Sequence, residues 1–152
     1  MSYDGPHDLA WTPDENLLSF LVDEDTTSVI IYNREKDSFT TAHTFPVSID
    51  SVRWSSVGPY FLFATEVYPS TTIEETVAID EQKNSDYAQA MVFDHMFVYH
   101  WDTYETGKYR HVMYMKLSEE DTDVKYVFNG TIHDVMKDLD GNCPAKPDCV
   151  LF

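Results

Sequence analysis

An all-β fold is predicted for this sequence by three observations. Short apolar runs are separated by turn formers such as Pro13-Asp14 and residues 33–37. A tryptophan-led segment also recurs: "LAWTPDENLLSFLV" from Leu9 aligns with "VRWSSVGPYFLFAT" from Val52, setting Trp11 on Trp54 at a separation of 43 residues. Leu17, Leu18 and Phe20 then fall on Tyr60, Phe61 and Phe63. Finally, 152 residues with 43% hydrophobic and 14% aromatic content are enough for one domain with a core. A period of about 40–45 residues made of short strands is the signature of β-propeller blades, each a four-stranded sheet. The expected architecture is a partial propeller of about two blades, where about seven or eight would close the ring.

The elements follow in order. Residues 8–11, 17–22, 28–32 and 38–45 read as the four strands of a first blade over 8–46. A second blade over 49–128 begins with strands at 49–54 and 60–68 and resumes at 111–117 and 124–128, if "HVMYMKL" is matched to "SVIIYNR". Between its second and third strands lies an insertion, about 69–110, where a turn would be the usual connection. Inside it, "TTIEETVAIDEQKNSDYAQA" lacks strand alternation, opens with a capping pattern and predicts a short helix or helical turn. After Gly130, "TIHDVMKDLDGN" predicts a further helical turn at the start of a following blade over 130–152. Open blades leave sheet faces and strand edges uncovered, so the isolated chain is expected to be marginally stable or to self-associate.

Twenty-seven acids against 10 bases give a net charge of −17. That field repels phosphate backbones and anionic lipid, so neither nucleic acid nor a membrane is expected as a partner. It favours a cationic or amine-bearing ligand, although solubility alone also explains it. No basic segment followed by an apolar stretch opens the chain, and no apolar run approaches a membrane span, so a soluble protein is expected. The compartment stays open: Cys143 and Cys149 would close a small loop under oxidising conditions, but one such pair does not identify the compartment. Asn129-Gly-Thr131 fits the N-glycosylation triplet, which is common by chance.

No catalytic residue is expected within the chain. No two of its five glycines are four apart, which excludes the G-x-S-x-G elbow of an α/β-hydrolase. His95, His100 and His111 have spacings that match no zinc pattern, and "DLDGN" puts Met136 and Pro147 at the ends of a calcium loop, so no metal or other cofactor is expected. The aromatic run "MFVYHWDTY" raises two readings for His100, Trp101, Asp102 and Thr103: a site, or a buried hydrogen-bonded cluster that ties the insertion to its sheet. The structural reading is favoured. Glu74 and Glu75, adjacent on the expected helix, read first as a solvated acidic face, and the sharper alternative is a site for a protonated peptide amino terminus.

Taken in order, "WTPDENLLSFL", "VRWSSVGPYFLFATEVYP", "IEET", "MFVYHWDTYETGKYRHVMYMKL" and "DVMKDLDGNCPAKP" resemble the N-terminal β-propeller of prolyl oligopeptidase family serine peptidases. The type is that of dipeptidyl-peptidase V and acylaminoacyl-peptidase, over about residues 8–147. The resemblance implies a propeller that caps a C-terminal α/β-hydrolase domain and restricts access to oligopeptides. It also implies propeller carboxylates that hold the substrate's amino terminus: Glu74 and Glu75, with Glu66 third. Tyr99 stands where arginine is common, Tyr104 where tryptophan is, Ser56-Val57-Gly58 where Pro-Asp-Gly is usual, and Asp148-Cys149-Val150 where Phe-Gly-Gly is expected. The missing arginine puts any contact made at that position in doubt. The ending reads as a truncated frame or a fragment. Three expectations follow: a gating and positioning part of a serine exopeptidase whose hydrolase domain is absent from these residues, a noncatalytic propeller-like module that binds a protein or peptide, or a degenerate product.

Overall fold

The computed structural model describes residues 5–24, 26–85, 106–120 and 125–143, together with the backbone of 99–100 and 103–104. Strands β1 (His7–Trp11), β2 (Leu17–Asp23), β3 (Thr27–Asn33) and β4 (Ser38–Phe45) form one antiparallel sheet in chain order. These are the four expected strands, each within a residue of its expected ends. Their turns are built from short polar side chains. Asn16 N–H donates to Asp14 Oδ1 at 3.1 Å, and Asn33 Oδ1 accepts from the N–H groups of Glu35 and Lys36 at 3.1 Å. β2 and β3 are central and apolar on both faces, so the sheet can be covered from either side.

The second sheet has the order β12-β9-β6-β5, from β5 (Ile49–Trp54), β6 (Tyr60–Val67), β9 (Tyr109–Lys116) and β12 (Ile132–Asp134). Helix α1 (Ile73–Ser85) and the backbone pair β7 (Tyr99–His100) and β8 (Thr103–Tyr104) lie in the insertion between β6 and β9. The fold is therefore all-β, two four-stranded antiparallel sheets in a partial propeller-like arrangement, the second with a partly helical insertion.

One strand is not where its pattern predicts. The fourth strand of the second sheet is β12, not residues 124–128, and the helical turn expected after Gly130 is a strand followed by a turn at 135–138. Tyr126–Val127 is β11, which pairs with β10 (Ser118–Glu119) as the far end of the same long hairpin. Between these two ladders the four residues 128–131 stand opposite only Lys116 and Leu117, an irregularity that drops Phe128 into the core and lets the return strand reach β9 further down. Gly130 makes that close passage possible: a Cβ there would lie 2.0 Å from the carbonyl oxygen of Lys116. Val135 and Leu139, two of the apolar residues of that stretch, are 54% and 58% exposed.

The core lies between the sheets. Leu17, Leu21, Val29, Ile31 and Phe45 from the first meet Val52, Phe61, Phe63, Met113 and Met115 from the second. Phe45 sits 4.8 Å from Phe63, Trp54 is edge-on to Phe61 at 5.1 Å, and Phe128 is edge-on to Phe61 at 5.0 Å. His43 stacks on Phe128 at 5.4 Å and meets Phe45 edge-on at 4.6 Å. Burial in this apolar setting lowers the His43 pKa from its ordinary 6.5.

Two outcomes are expected. Gly130→Ala should lower stability in urea by about 1–3 kcal/mol, because the obstructing atom is backbone and the strand itself must shift; an unchanged midpoint would count against the close passage. His43 binds fewer protons folded than unfolded, so its contribution is present above pH 6.5 and is lost as pH falls from 6.5 toward the lowered folded pKa. His43→Phe should therefore flatten the fall in melting temperature seen between neutral and mildly acidic pH, and a slope identical to that of the unsubstituted chain would reject the assignment.

Candidate functional site

The candidate carboxylates sit where the insertion leaves the second sheet. Thr72 caps α1: Glu75 N–H donates to Thr72 Oγ1 at 3.2 Å, and Thr72 N–H donates back to Glu75 Oε2 at 2.8 Å. This reciprocal capping box is the one the Thr-Ile-Glu-Glu pattern predicts. It divides the two acids. One oxygen of Glu75 is committed to the cap, whereas Glu74, also exposed, keeps its carboxylate for other contacts. Both stand in the first turn, where the helix dipole and free N–H groups favour negative charge. Glu66 is exposed on β6, opposite Arg110 in the ladder, and belongs to the sheet rather than to the helix.

α1 is held more by polar contacts than by apolar burial, since Ile73 and Thr76 are its only buried residues. At its start, Thr76 Oγ1 accepts from Tyr68 N–H at 3.3 Å and lies 2.8 Å from Thr71 Oγ1, which donates to Tyr68 O. Further along, Tyr68 Oη donates to Asp80 Oδ1 at 3.0 Å, and Lys108 Nζ donates to Asp80 Oδ2 at 2.5 Å. Lys83 Nζ donates to Tyr68 Oη at 2.9 Å and stands 4.3 Å from the ring centre. Tyr68 thus links the end of β6, the helix and the approach to β9. Sequence reasoning missed this clamp, because its members are up to 40 residues apart and no local pattern joins them.

Of the expected polar cluster, Trp101 and Asp102 lie outside the described residues. His100 and Thr103 face each other as backbone partners in β7 and β8, and their side chains lie outside the description as well. His95 also lies outside it. His111, weighed with His95 and His100 as a ligand, is 1% exposed and pairs with Asp134, Nδ1 to Oδ2 at 2.7 Å. Asp134 Oδ1 also accepts the N–H of Met136 at 2.7 Å, so one carboxylate fastens both β9 and the turn after β12.

Arg110 organises the other edge. It bonds both carboxylate oxygens of Asp50, donates to Ser51 Oγ at 2.9 Å and reaches Cys143 Sγ at 2.9 Å. Burial works against its charge, but the bonds and field of Asp50, together with the contact to Cys143, outweigh it and hold the pKa above the ordinary value. Cys143 is buried, and Cys149 lies outside the described residues. Among the described residues, no group of three or more histidine, cysteine or acidic side chains is placed to hold a metal, and no helix is long and apolar enough to cross a membrane.

Asp80→Ala removes the acceptor shared by Tyr68 and Lys108. Amide protection across α1 should fall in hydrogen exchange while β2 and β3 keep theirs, because the helix opens locally and the sheets do not depend on it. Equal loss in both places would mean that the clamp supports the whole core.

No protein-family model matches the chain. It is similar to dipeptidyl-peptidase 4 of Giardia intestinalis, with 27% identity over 138 residues that cover 80% of this chain and 18% of that protein. The chain therefore spans less than a fifth of the relative's length. At this distance the similarity supports a relationship to a peptidase family, carried by a span that the structure shows to be mostly β-sheet.

Proposed function

We propose that this chain is the N-terminal propeller part of a serine peptidase of the dipeptidyl-peptidase and acylaminoacyl-peptidase type. It gates and positions oligopeptides for an α/β-hydrolase domain outside these residues. The observation that carries this reading is the similarity to a dipeptidyl peptidase over 80% of the chain. Glu74 and Glu75 supply the recognition chemistry. A free peptide amino terminus is a compact cation with three N–H donors, and two adjacent carboxylates at a helix start accept them as charge-assisted hydrogen bonds. The capping box fixes Glu75, Glu74 keeps its carboxylate for the ligand, and the Tyr68 clamp fixes the helix that carries both. The overall charge of −17 adds a field that draws cationic peptide ends toward the surface.

Two tests follow. The 152-residue chain alone should release no chromophore from a dipeptidyl substrate, since it holds no nucleophile elbow. In the enzyme with its hydrolase domain, Glu74→Gln should lower kcat/KM for substrates with a free amino terminus by about tenfold to a hundredfold, the worth of a hydrogen bond to a charged group. Glu75→Gln preserves the capping geometry and removes only charge, so its effect should have the same sign. Amino-terminally blocked substrates should be unaffected by either change; equal losses on free and blocked substrates would overturn the recognition role.

A further inference from the structure

The triplet Asn129-Gly130-Thr131 serves neither the core nor the peptide-positioning role, except at its middle residue. It lies in the irregular stretch between the two ladders of the long hairpin. Phe128 before it is buried and Ile132 after it packs against the core, whereas Asn129 and Thr131 are exposed. Gly130 is required by the close passage, since a Cβ there would lie 2.0 Å from the carbonyl oxygen of Lys116. Nothing comparable holds its two neighbours. Thr131 Oγ1 makes no hydrogen bond among the described residues. Asn129 uses only its amide oxygen, which accepts from Ser118 Oγ at 2.9 Å in an exposed contact, and its Nδ2 has no partner among the described residues.

Other asparagines are built into the fold. Asn16 Nδ2 donates to Glu35 Oε1 at 2.9 Å, Asn33 Oδ1 accepts the N–H groups of Glu35 and Lys36, and Asn142 Oδ1 accepts the N–H of Arg110 at 2.7 Å. None of these three is followed two residues later by serine or threonine. Of the four, the asparagine that the fold needs least heads the triplet, and the threonine that completes it has no structural task. A bulky substituent on Asn33 or Asn142 would disrupt the bonds that shape a turn and a strand end, whereas on Asn129 Nδ2 it would extend from an exposed side chain without repacking anything.

We propose that Asn129 carries an N-linked oligosaccharide, acquired in a secretory compartment. In the transfer, C1 of the first sugar leaves the pyrophosphate of a lipid-linked oligosaccharide donor and bonds Asn129 Nδ2: a C–O bond breaks, a C–N bond forms, Nδ2 gives up one proton and the lipid pyrophosphate departs. Thr131 supplies the hydroxyl by which the transferase recognises the amide, and Gly130 puts no side chain between them. The position leaves the rest of the molecule clear. β6 runs from Tyr60, paired with Lys116 beside the hairpin, to Val67, after which the insertion with α1 begins. Its 8 residues at about 3.3 Å each set those two ends roughly 25 Å apart, so the glycan does not cover Glu74 and Glu75. At its own end it stands beside apolar surface: Leu117 N–H donates to Pro59 O at 2.7 Å, which brings the hairpin against the β5–β6 turn, where Val57 is 91% exposed. A polar, branched substituent there adds solubility. The inference does not depend on the peptide-positioning role.

The test is peptide mass spectrometry of the protein purified from its source cells. The peptide that contains Asn129 should carry an increment of hexose and N-acetylhexosamine units. Treatment with a peptide N-glycosidase in heavy-oxygen water should remove that increment and convert Asn129 to aspartate with one heavy oxygen. When the full gene product is expressed in a secreting eukaryotic cell, Asn129→Gln and Thr131→Val should both abolish the increment, and Thr131→Ser should keep it at lower occupancy. Thr131→Val preserves the shape of the side chain, so a lost increment with an unchanged circular dichroism spectrum reports the hydroxyl and not misfolding. An unmodified Asn129 peptide from the source cells overturns the proposal. So does an increment that survives Thr131→Val.

Discussion

The structure depends on one constraint: neither sheet can bury its aromatic face without the other. Phe45 comes from β4, Trp54 from β5, Phe61 and Phe63 from β6 and Phe128 from the return limb of the last hairpin, and these rings meet between the sheets. Each such ring removes roughly 150–250 Å² from water, several kcal/mol apiece at about 25 cal/mol per Å². Apolar contact has no direction, so the relative position of the sheets is set by polar links at the margin. Trp54 bonds Ser19, Asp8 bonds the backbone of Ser51, and Ile49 N–H reaches Thr27 Oγ1 at 3.4 Å. All three links leave from β5, so a slip of that strand by one residue would break them and turn Val52 and Trp54 toward water.

The insertion obeys different physics. α1 has almost no apolar face, and its orientation is fixed by hydroxyls, a carboxylate and two lysines around Tyr68. Partly exposed charge pairs contribute little to stability, but they have geometry, which an apolar contact lacks. Such an attachment would serve the recognition role proposed for Glu74 and Glu75, which asks for carboxylates held on a fixed helix. Beneath it, the His111–Asp134 pair and the Arg110–Asp50 contacts tie the flanking strands, so that the excursion leaves from and returns to a fixed sheet edge.

The strands of the first sheet were legible because each pairs with its sequence neighbour, and a local hairpin carries its own alternation and turn residues. The last strand of the second sheet was not. Tyr126 and Phe128 alternate as a strand would, but alternation reports burial and not partner, and both rings are buried against Trp54 rather than held in the main ladder. Ile132–Asp134 is too short and too polar to stand out, and it becomes a strand only because Gly130 lets the chain pass Lys116. His111 invited comparison with the histidines before it in the sequence, while its actual partner lies 23 residues after it on the neighbouring strand. The helix start, by contrast, was fully legible, since a capping box is local. Trp11 and Trp54 show the remaining limit: the same residue at the same repeat position is exposed in one sheet and half-buried in the other, according to what lies across from it.

The distance along the chain between β6 and β9 bears on how the protein is made. The first sheet closes through short turns and can assemble as soon as Phe45 has left the ribosome, whereas β6 waits for a partner that begins only at Tyr109. At roughly 5–20 residues per second, synthesis of the intervening 41 or so residues takes roughly 2–8 s. That is far longer than the microseconds in which a hairpin forms. Throughout that interval β6 presents Phe61, Phe63 and Val67 along an open strand edge, and the loop that must then be closed adds an entropic barrier of its own. The nascent chain is thus most open to wrong pairing just after its first half has folded, which makes the second sheet the step at which a cell's folding assistants would be needed.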